Sequence, residues 1–241
     1  MKKSLTVGVL GGMGPDATVD FMQKVIRLTP AERDQEHIRM LVDHDPTVPS
    51  RQNPSVSDDA RIREMLATMA ERLEAAGADF LVMVCNTAYG WIDRALERVS
   101  IPFVSIVEES VRAVARHPDA RRVGIMATPA CLEIGLYQQA LERAGLVALP
   151  VEEGARAGLM ALIDRVKAGD QGAGIRSGMA EVARGLIERG ADVIVAGCTE
   201  IPLVLDPGQL TVPLVSSTDE LARRTVELAL GEAALATDRK H

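Results

Sequence analysis

The sequence is poor in aromatic residues and in positive charge. Its 241 residues include three Phe, two Tyr and one Trp, too few for the stacking platforms that bind single-stranded nucleic acid. The formal net charge is −7, and no block of Lys or Arg offsets it, so a phosphate backbone is not an expected partner either. We therefore expect no nucleic-acid partner.

Cysteine and histidine are also scarce. Three cysteines, at positions 85, 131 and 198, are an odd number at wide spacings. They make a poor disulfide framework and favour a reducing compartment, which predicts the cytoplasm. The four His are scattered, and neither Cys-x-x-Cys nor His-Glu-x-x-His occurs, so we expect no metal site.

Long apolar runs are absent too. No stretch reaches the roughly 18 apolar residues of a membrane span, so we expect no membrane partner. Two lysines precede a short apolar run at the N-terminus, but this run ends at Gly11-Gly12 after a few residues. The pattern therefore predicts a first strand rather than a signal peptide.

One unit occurs twice in the chain. Val82–Ala88 and Ile194–Glu200 are each an apolar run that ends in a cysteine followed by polar residues. A Gly-Ala-Asp triplet begins eight residues before each cysteine, and the apolar runs at 7–10 and 123–126 also match. Because strands alternate with helices in both halves, we predict an α/β fold of two lobes related by a pseudo-twofold axis. Each lobe is a parallel sheet flanked by helices, and the active site lies in the cleft between the lobes.

Two local features can be predicted from spacing and composition. In the first helix, Val19, Met22, Val25 and Ile26 recur at helical spacing and predict the face that packs on the core. The stretch Asp43–Pro54 contains three prolines and predicts a long loop, which is a common location for functional residues.

The repeated cysteines are the candidate catalytic pair. Cys85 and Cys198 end equivalent strands, so we expect them to face each other across the cleft. Racemisation at a Cα needs a base on one face and an acid on the other, and a thiolate and a thiol serve as both. With reacting atoms about 3–3.5 Å apart, the two sulfurs should be about 7 Å apart, too far for a disulfide. Backbone N–H groups and the helix dipole at each turn predict lowered thiol pKa values.

Other interpretations of the same residues stay open. A cysteine at a strand end is often only a small buried side chain, and Cys131, which has no counterpart in the repeat, fits that description. Gly12–Ala17 matches G-x-G-x-x-A, a dinucleotide fingerprint, with Asp43 as a candidate ribose partner. Arg51 and Lys167 are either solvated charges or cations that bind a carboxylate.

The chain resembles the cofactor-independent aspartate/glutamate racemase family, most closely its aspartate racemase branch. The resemblance rests on four stretches: Gly11–Pro15, Arg33–His37, Cys85–Ala88 and Gly197–Glu200. It implies an isomerase that racemises aspartate, glutamate or both by a two-cysteine proton transfer at Cα, without PLP or another cofactor. It also implies a homodimer, with a terminal helix that packs back on the first lobe. The implied lobes are residues 1–109 with 218–241, and residues 110–217.

The resemblance implies roles for individual residues as well. Cys85 and Cys198 are the acid/base pair, and Arg51 and Lys167 contact the substrate's side chain. The amino-acid substrate is further bound by residues of the cysteine motifs and their surroundings: Met13, Asn86, Thr87, Thr128, Thr199 and Glu200.

The chain departs from the family pattern near the substrate. Tyr89 stands where relatives have His, and His44 and Asp45 stand where they have Asn. One alternative function is therefore a related enzyme on another carboxylate, namely a hydantoin racemase, a decarboxylase or a cis–trans isomerase. An alternative from a different class is a cytoplasmic amino-acid binding protein.

Overall fold

The structure is a computed structural model that describes residues 4–52 and 55–234. One group of strands comprises β1 (Val7–Gly11), β2 (Met40–His44), β3 (Phe80–Met83) and β4 (Phe103–Val104). The other comprises β5 (Arg122–Met126), β6 (Val147–Pro150), β7 (Val193–Ala196) and β8 (Leu214–Ser216). Each group forms a parallel sheet, with the orders β2-β1-β3-β4 and β6-β5-β7-β8. We call these sheets, with the helices that flank them, the first lobe and the second lobe.

Helices connect the strands in both lobes. The α-helices of the described residues are α1 (Pro15–Leu28), α2 (Val56–Ala75), α3 (Asp93–Arg98), α4 (Ile106–Val114), α5 (Pro129–Ile134), α6 (Leu136–Arg143), α7 (Glu153–Lys167), α8 (Ala173–Glu188) and α9 (Ser217–Ala229). Short 3₁₀ helices lie at Asp34–Glu36, Thr87–Trp91, Ile201–Leu203 and Pro207–Gln209.

The two lobes have the same strand order, which confirms the predicted α/β fold. The central strands β1, β3 and β7 are buried along their whole length, as expected for parallel strands covered by helices on both faces. Equivalent glycines allow this close packing. A Cβ on Gly8 would lie 2.6 Å from the Leu81 side chain, and one on Gly124 would lie 2.5 Å from that of Ile194.

Helices α4 and α9 join the two lobes. They follow the equivalent strands β4 and β8, and they pack against each other. In addition, α9 packs on α1 of the first lobe and α4 packs on α6 of the second, so each sheet is followed by a helix that covers the other lobe. The division into residues 1–109 with 218–241 and 110–217 remains a proposal, and its boundaries fall inside α4 and α9.

The buried face of α1 differs in part from the predicted one. Val19 and Ile26 are 50% and 47% exposed, whereas Val25 is buried as predicted and Phe21, which was not in the predicted set, is buried beside it. Apolar residues occur on two faces of this helix, so their spacing alone does not select one. The phenyl ring of Phe21 buries more apolar area than Val19 would, and this favours turning its face toward the sheet.

The Pro-rich loop leads from the first sheet to the cleft. Strand β2 continues through Asp43 and His44, so the loop begins two residues later than predicted. Its C-terminal end leads into α2, where Ser55 and Asp58 form a capping box. Positions 53 and 54 of the predicted loop lie outside the described residues.

Candidate active site

Both repeated cysteines lie in one cavity between the lobes. Cys85 follows β3 and Cys198 follows β7, the equivalent central strands, and each is 6% exposed. The free space between the cavity walls is about 330 Å³, open solvent at its mouth included. The cavity therefore brings together one thiol from each lobe.

The cavity collects every residue that the sequence singles out for the site. The predicted residues that line it are Met13, Arg51, Cys85, Asn86, Thr87, Thr128, Lys167, Cys198, Thr199 and Glu200. Sequence reasoning missed two further lining residues, Ser50 and Gln52. They lie on either side of Arg51 in the Pro-rich loop, and this position in the sequence could have identified them.

The Cys198 thiol is held by a buried carboxylate. Its Sγ donates a hydrogen bond to Glu200 Oε2 at 3.0 Å, and Thr199 Oγ1 donates to the same oxygen at 3.2 Å. Glu200 is 4% exposed, and its Oε1 has no hydrogen-bond partner among the described residues. A buried carboxylate oxygen without a partner is costly, so this oxygen is suited to meet a donor from a bound substrate.

The pKa of Cys198 is raised, not lowered as its position at the end of a strand predicts. Burial is the largest cause, the negative charge of Glu200 adds to it, and the positive charge of Lys167 opposes it. The helix that follows, Ile201–Leu203, is a single 3₁₀ turn with a small dipole. Burial and a carboxylate at hydrogen-bond distance therefore outweigh the favourable backbone geometry.

Among the described residues that line the cavity, Glu200 is the one carboxylate, and it lies beside Cys198 rather than Cys85. The residue two positions after Cys85 is Thr87, whose Oγ1 lies 2.9 Å from Thr128 Oγ1 across the cleft. The amide of Asn86 is engaged elsewhere: its Oδ1 accepts from Tyr137 Oη at 2.6 Å, and its Nδ2 donates to Ser217 Oγ at 3.1 Å. Asn86 thus has less hydrogen-bonding capacity for a substrate carboxylate than its sequence position implies.

Tyr89, which stands at the position of the family's His, is not among the residues that line the cavity. Its hydroxyl donates to the Val104 carbonyl at 2.9 Å and accepts from the Ile106 N–H at 3.1 Å. Burial raises the pKa of this phenol. Tyr89 therefore fixes the turn after Cys85 to strand β4 and stays uncharged.

Arg51 and Lys167 bring positive charge to the cavity. Arg51 Nη1 donates to the carbonyls of Val48 and Pro49 at 3.0 and 2.7 Å, which fixes the guanidinium on its loop. Asp45 does not neutralise it, because this carboxylate accepts from the N–H and hydroxyl of Thr47 at 2.8 and 2.6 Å. Those bonds lower the pKa of Asp45. The remaining edge of the Arg51 guanidinium is available for a substrate carboxylate.

The glycine motif near Met13 serves the protein's own packing. Gly12 has φ +88°, and a Cβ there would lie 2.5–2.7 Å from the Asp45 backbone. A Cβ on Gly14 would lie 2.9 Å from Glu200 Oε1. The space in which the dinucleotide fingerprint holds a pyrophosphate is therefore occupied by the Asp45 backbone. The structure does not favour the nucleotide-binding interpretation.

Two further searches cover the described part of the chain. Residues 4–52 and 55–234 contain no group of three or more His, Cys, Asp or Glu side chains arranged to hold a metal ion. None of the helices formed by these residues is long and apolar enough to cross a membrane.

Two like α/β lobes, each with a cysteine at the end of its central strand and both cysteines in one small cavity, define the class: a two-lobed α/β protein with a cavity of small-molecule size between its lobes. The chain belongs to the Asp/Glu/hydantoin racemase family, whose model matches residues 10–225. It is therefore an isomerase of the amino-acid racemase kind, which confirms the resemblance seen in the sequence.

Individual relatives agree with this family over nearly the whole chain. The broad specificity amino-acid racemase RacX of Bacillus subtilis (strain 168) is 28% identical over 228 residues, covering 93% of this chain and 98% of that protein. The structure of Picrophilus torridus aspartate racemase matches with a TM-score of 0.80 at 26% identity, covering 93% and 94%. Glutamate racemase isoform RacE1 from Bacillus anthracis has a TM-score of 0.71 at 20% identity, covering 98% and 85%, and shares the fold.

Proposed function

We propose that the chain racemises aspartate, glutamate or both by proton transfer between Cys85 and Cys198, without PLP or another cofactor. The observation that carries the proposal is the placement of both cysteines, from equivalent strands of opposite lobes, in one cavity. A reducing compartment such as the cytoplasm suits this chemistry, because both thiols must stay reduced.

The reaction needs one thiolate and one thiol. The thiolate removes the Cα proton, the electron pair of the broken C–H bond delocalises into the α-carboxylate, and the opposite thiol delivers its proton to the other face of Cα. The hydroxyls of Thr87, Thr128 and Thr199 line the same cavity and can donate to that carboxylate as its charge grows.

Glu200 adds to burial, the larger cause, in keeping Cys198 protonated in the resting enzyme. Its carboxylate accepts the Cys198 proton in a hydrogen bond and raises the pKa of that thiol. Cys198 is therefore the resting acid, and Cys85, from the opposite lobe, takes the role of the base for the first enantiomer. For the opposite enantiomer the roles reverse, and Glu200 accepts the proton that Cys198 must lose.

The charges of the cavity favour a substrate with a second carboxylate. Arg51 and Lys167 line the cavity of a protein whose net charge is −7, so they supply the local positive field that an acidic substrate requires. The related proteins are named for different substrates, a broad range in one case and aspartate in another. The choice of aspartate and glutamate therefore rests on these two cations.

Chiral chromatography tests the function directly. Purified protein is incubated with single enantiomers of a panel of acidic and neutral amino acids and of 5-substituted hydantoins, without added cofactor and with a chelator. We expect the opposite enantiomer of aspartate or glutamate to form, and we expect the active species to sediment as a homodimer. Racemisation of uncharged substrates alone, or activity that depends on PLP or metal, would contradict the proposal.

Replacement of Arg51 tests the substrate's side chain. Arg51→Ala is expected to raise KM for the acidic substrate and to lower kcat/KM by about 10- to 150-fold, the equivalent of losing a charged hydrogen bond of about 1.5–3 kcal/mol. Arg51→Lys should recover only part of this loss, because it keeps the charge but not the planar fork. A matched control is Arg176→Ala, since Arg176 also binds a backbone carbonyl but does not line the cavity. Equal kinetics for Arg51→Ala and wild type would exclude the contact.

A further inference from the structure

One buried side chain touches the residues next to both cysteines. Tyr137, in α6, is 0% exposed, and its hydroxyl donates to Asn86 Oδ1 at 2.6 Å. Its ring lies so close to Gly197 that a Cβ there would be 2.6 Å from it. Asn86 directly follows Cys85 and Gly197 directly precedes Cys198, so Tyr137 bridges the two cysteine turns.

The bridge is part of a buried hydrogen-bond network. The other end of the Asn86 amide donates to Ser217 Oγ at 3.1 Å, and Ser110 Oγ lies 3.3 Å from Tyr137 Oη. Ser110 is in α4 and Ser217 begins α9, the two helices that join the lobes. All four side chains are buried, where hydrogen bonds are electrostatically stronger than in water. The network therefore fixes the Cys85 turn to the second lobe and to both joining helices.

The repeat shows that packing alone does not require the hydroxyl of Tyr137. Phe21 lies as many residues after Gly8 as Tyr137 lies after Gly124, so it is the counterpart of Tyr137 in the first lobe. Phe21 is also fully buried, although it carries no hydroxyl. An aromatic ring thus satisfies the core at this position in either lobe, and the Tyr137 hydroxyl has a separate role.

We propose that Tyr137 is a positioning residue that sets the separation of Cys85 and Cys198 through its bonds to Asn86 and its contact with Gly197. This inference rests on the proposed two-cysteine reaction. Proton delivery requires both sulfurs to reach Cα at once, and a misplacement of about 1 Å at a reacting group costs about 100-fold in rate. A rigid link between the two turns prevents such a shift when the lobes move.

Tyr137→Phe removes the link and keeps the ring. We expect kcat to fall by about 10- to 100-fold, because the spacing of the sulfurs relaxes, while KM changes by less than about threefold, because Tyr137 does not line the cavity. The control is Thr225→Val, which also removes a fully buried hydroxyl, one that bonds the Leu221 carbonyl within α9. If Tyr137→Phe and Thr225→Val lost the same activity and the same free energy of unfolding, Tyr137 would have only a structural role.

A second measurement does not depend on turnover. A short, rigid bis-alkylating reagent should link Cys85 to Cys198 at alkaline pH, and mass spectrometry of the digested protein quantifies the linked peptides. We expect slower linking in Tyr137→Phe than in wild type, and an intermediate rate in Ser217→Ala, which frees the other end of the Asn86 amide. An unchanged linking rate, or an unchanged kcat, in Tyr137→Phe would overturn the inference. If instead wild type does not racemise amino acids, the proposed function fails while the linking rates still decide whether Tyr137 sets the spacing.

Discussion

Cys85→Ala and Cys198→Ala are each expected to lower kcat/KM for racemisation by about 10⁴-fold or more, because each removes the acid or base from one face of Cα. The two cysteines are needed in both directions, since the acid of one direction is the base of the other. Racemisation has an equilibrium constant of one, so kcat/KM must fall equally for the two enantiomers. Chiral chromatography started from each enantiomer measures this directly.

Each single variant should still remove the Cα proton from one enantiomer, and the two variants should act on opposite enantiomers. In deuterated water, Cys198→Ala retains Cys85 and is expected to exchange the Cα proton of one enantiomer, and Cys85→Ala to exchange that of the other, without inversion. Cys131→Ala is the control, because this thiol is fully buried outside the cavity lining and burial raises its pKa to about 12. Substantial racemisation by either active-site variant would exclude the two-cysteine mechanism.

The repeat in the sequence was sufficient to predict the fold and the position of one cysteine after a central strand in each lobe. A central parallel strand that helices cover on both faces is apolar along its length, and ligands bind beyond its carboxyl end, so the positions of Cys85 and Cys198 in the sequence predict their place in each sheet. The same argument predicts that Thr87 and Thr199, one or two residues after the cysteines, lie at the same edge of each sheet. These residues are close in sequence to the end of a strand, so local backbone geometry is sufficient to predict their position.

Features that depend on contacts between the lobes could not be predicted in this way. The Tyr137 hydroxyl meets Asn86 only because α6 packs against α4, and Gln52 reaches the Ala130 N–H at 3.3 Å only when the Pro-rich loop folds over the second lobe. The exposed face of α1, with Val19 and Ile26, was assigned wrongly for a related reason. Helical spacing gives the faces, but the neighbouring elements decide which of them is covered.

The raised pKa of Cys198 shows that burial and a neighbouring charge can outweigh the effect of local backbone geometry on a thiol. The end of a strand before a helix favours a thiolate, and the sequence therefore predicted a lowered pKa. The residue that reverses the sign, Glu200, was visible two positions further on. Its effect depends on burial to 4% exposure and on a contact of 3.0 Å with the sulfur, neither of which sequence spacing gives.

Glu200→Gln removes the negative charge of this side chain and keeps its size and shape. Gln can hydrogen-bond the sulfur but cannot take a proton from it, so kcat/KM should fall by about 100-fold in both directions. At the same time the pKa of Cys198 should decrease, because a negative charge that raises it has been removed. Cys198 should therefore be alkylated at lower pH than in wild type, although burial, the larger cause, keeps the pKa raised.

These opposite changes distinguish proton transfer by Glu200 from a loss of structure. A disordered cavity would expose both cysteines and accelerate their alkylation at every pH, whereas loss of the carboxylate shifts the pH dependence of alkylation at Cys198. Glu109→Gln is the control, since Glu109 is also buried but pairs with Arg112 and Arg224 outside the cavity lining. If Glu200→Gln racemised at the wild-type rate with a lowered Cys198 pKa, Glu200 would only set the charge of the resting thiol, and the proton of Cys198 would leave through solvent.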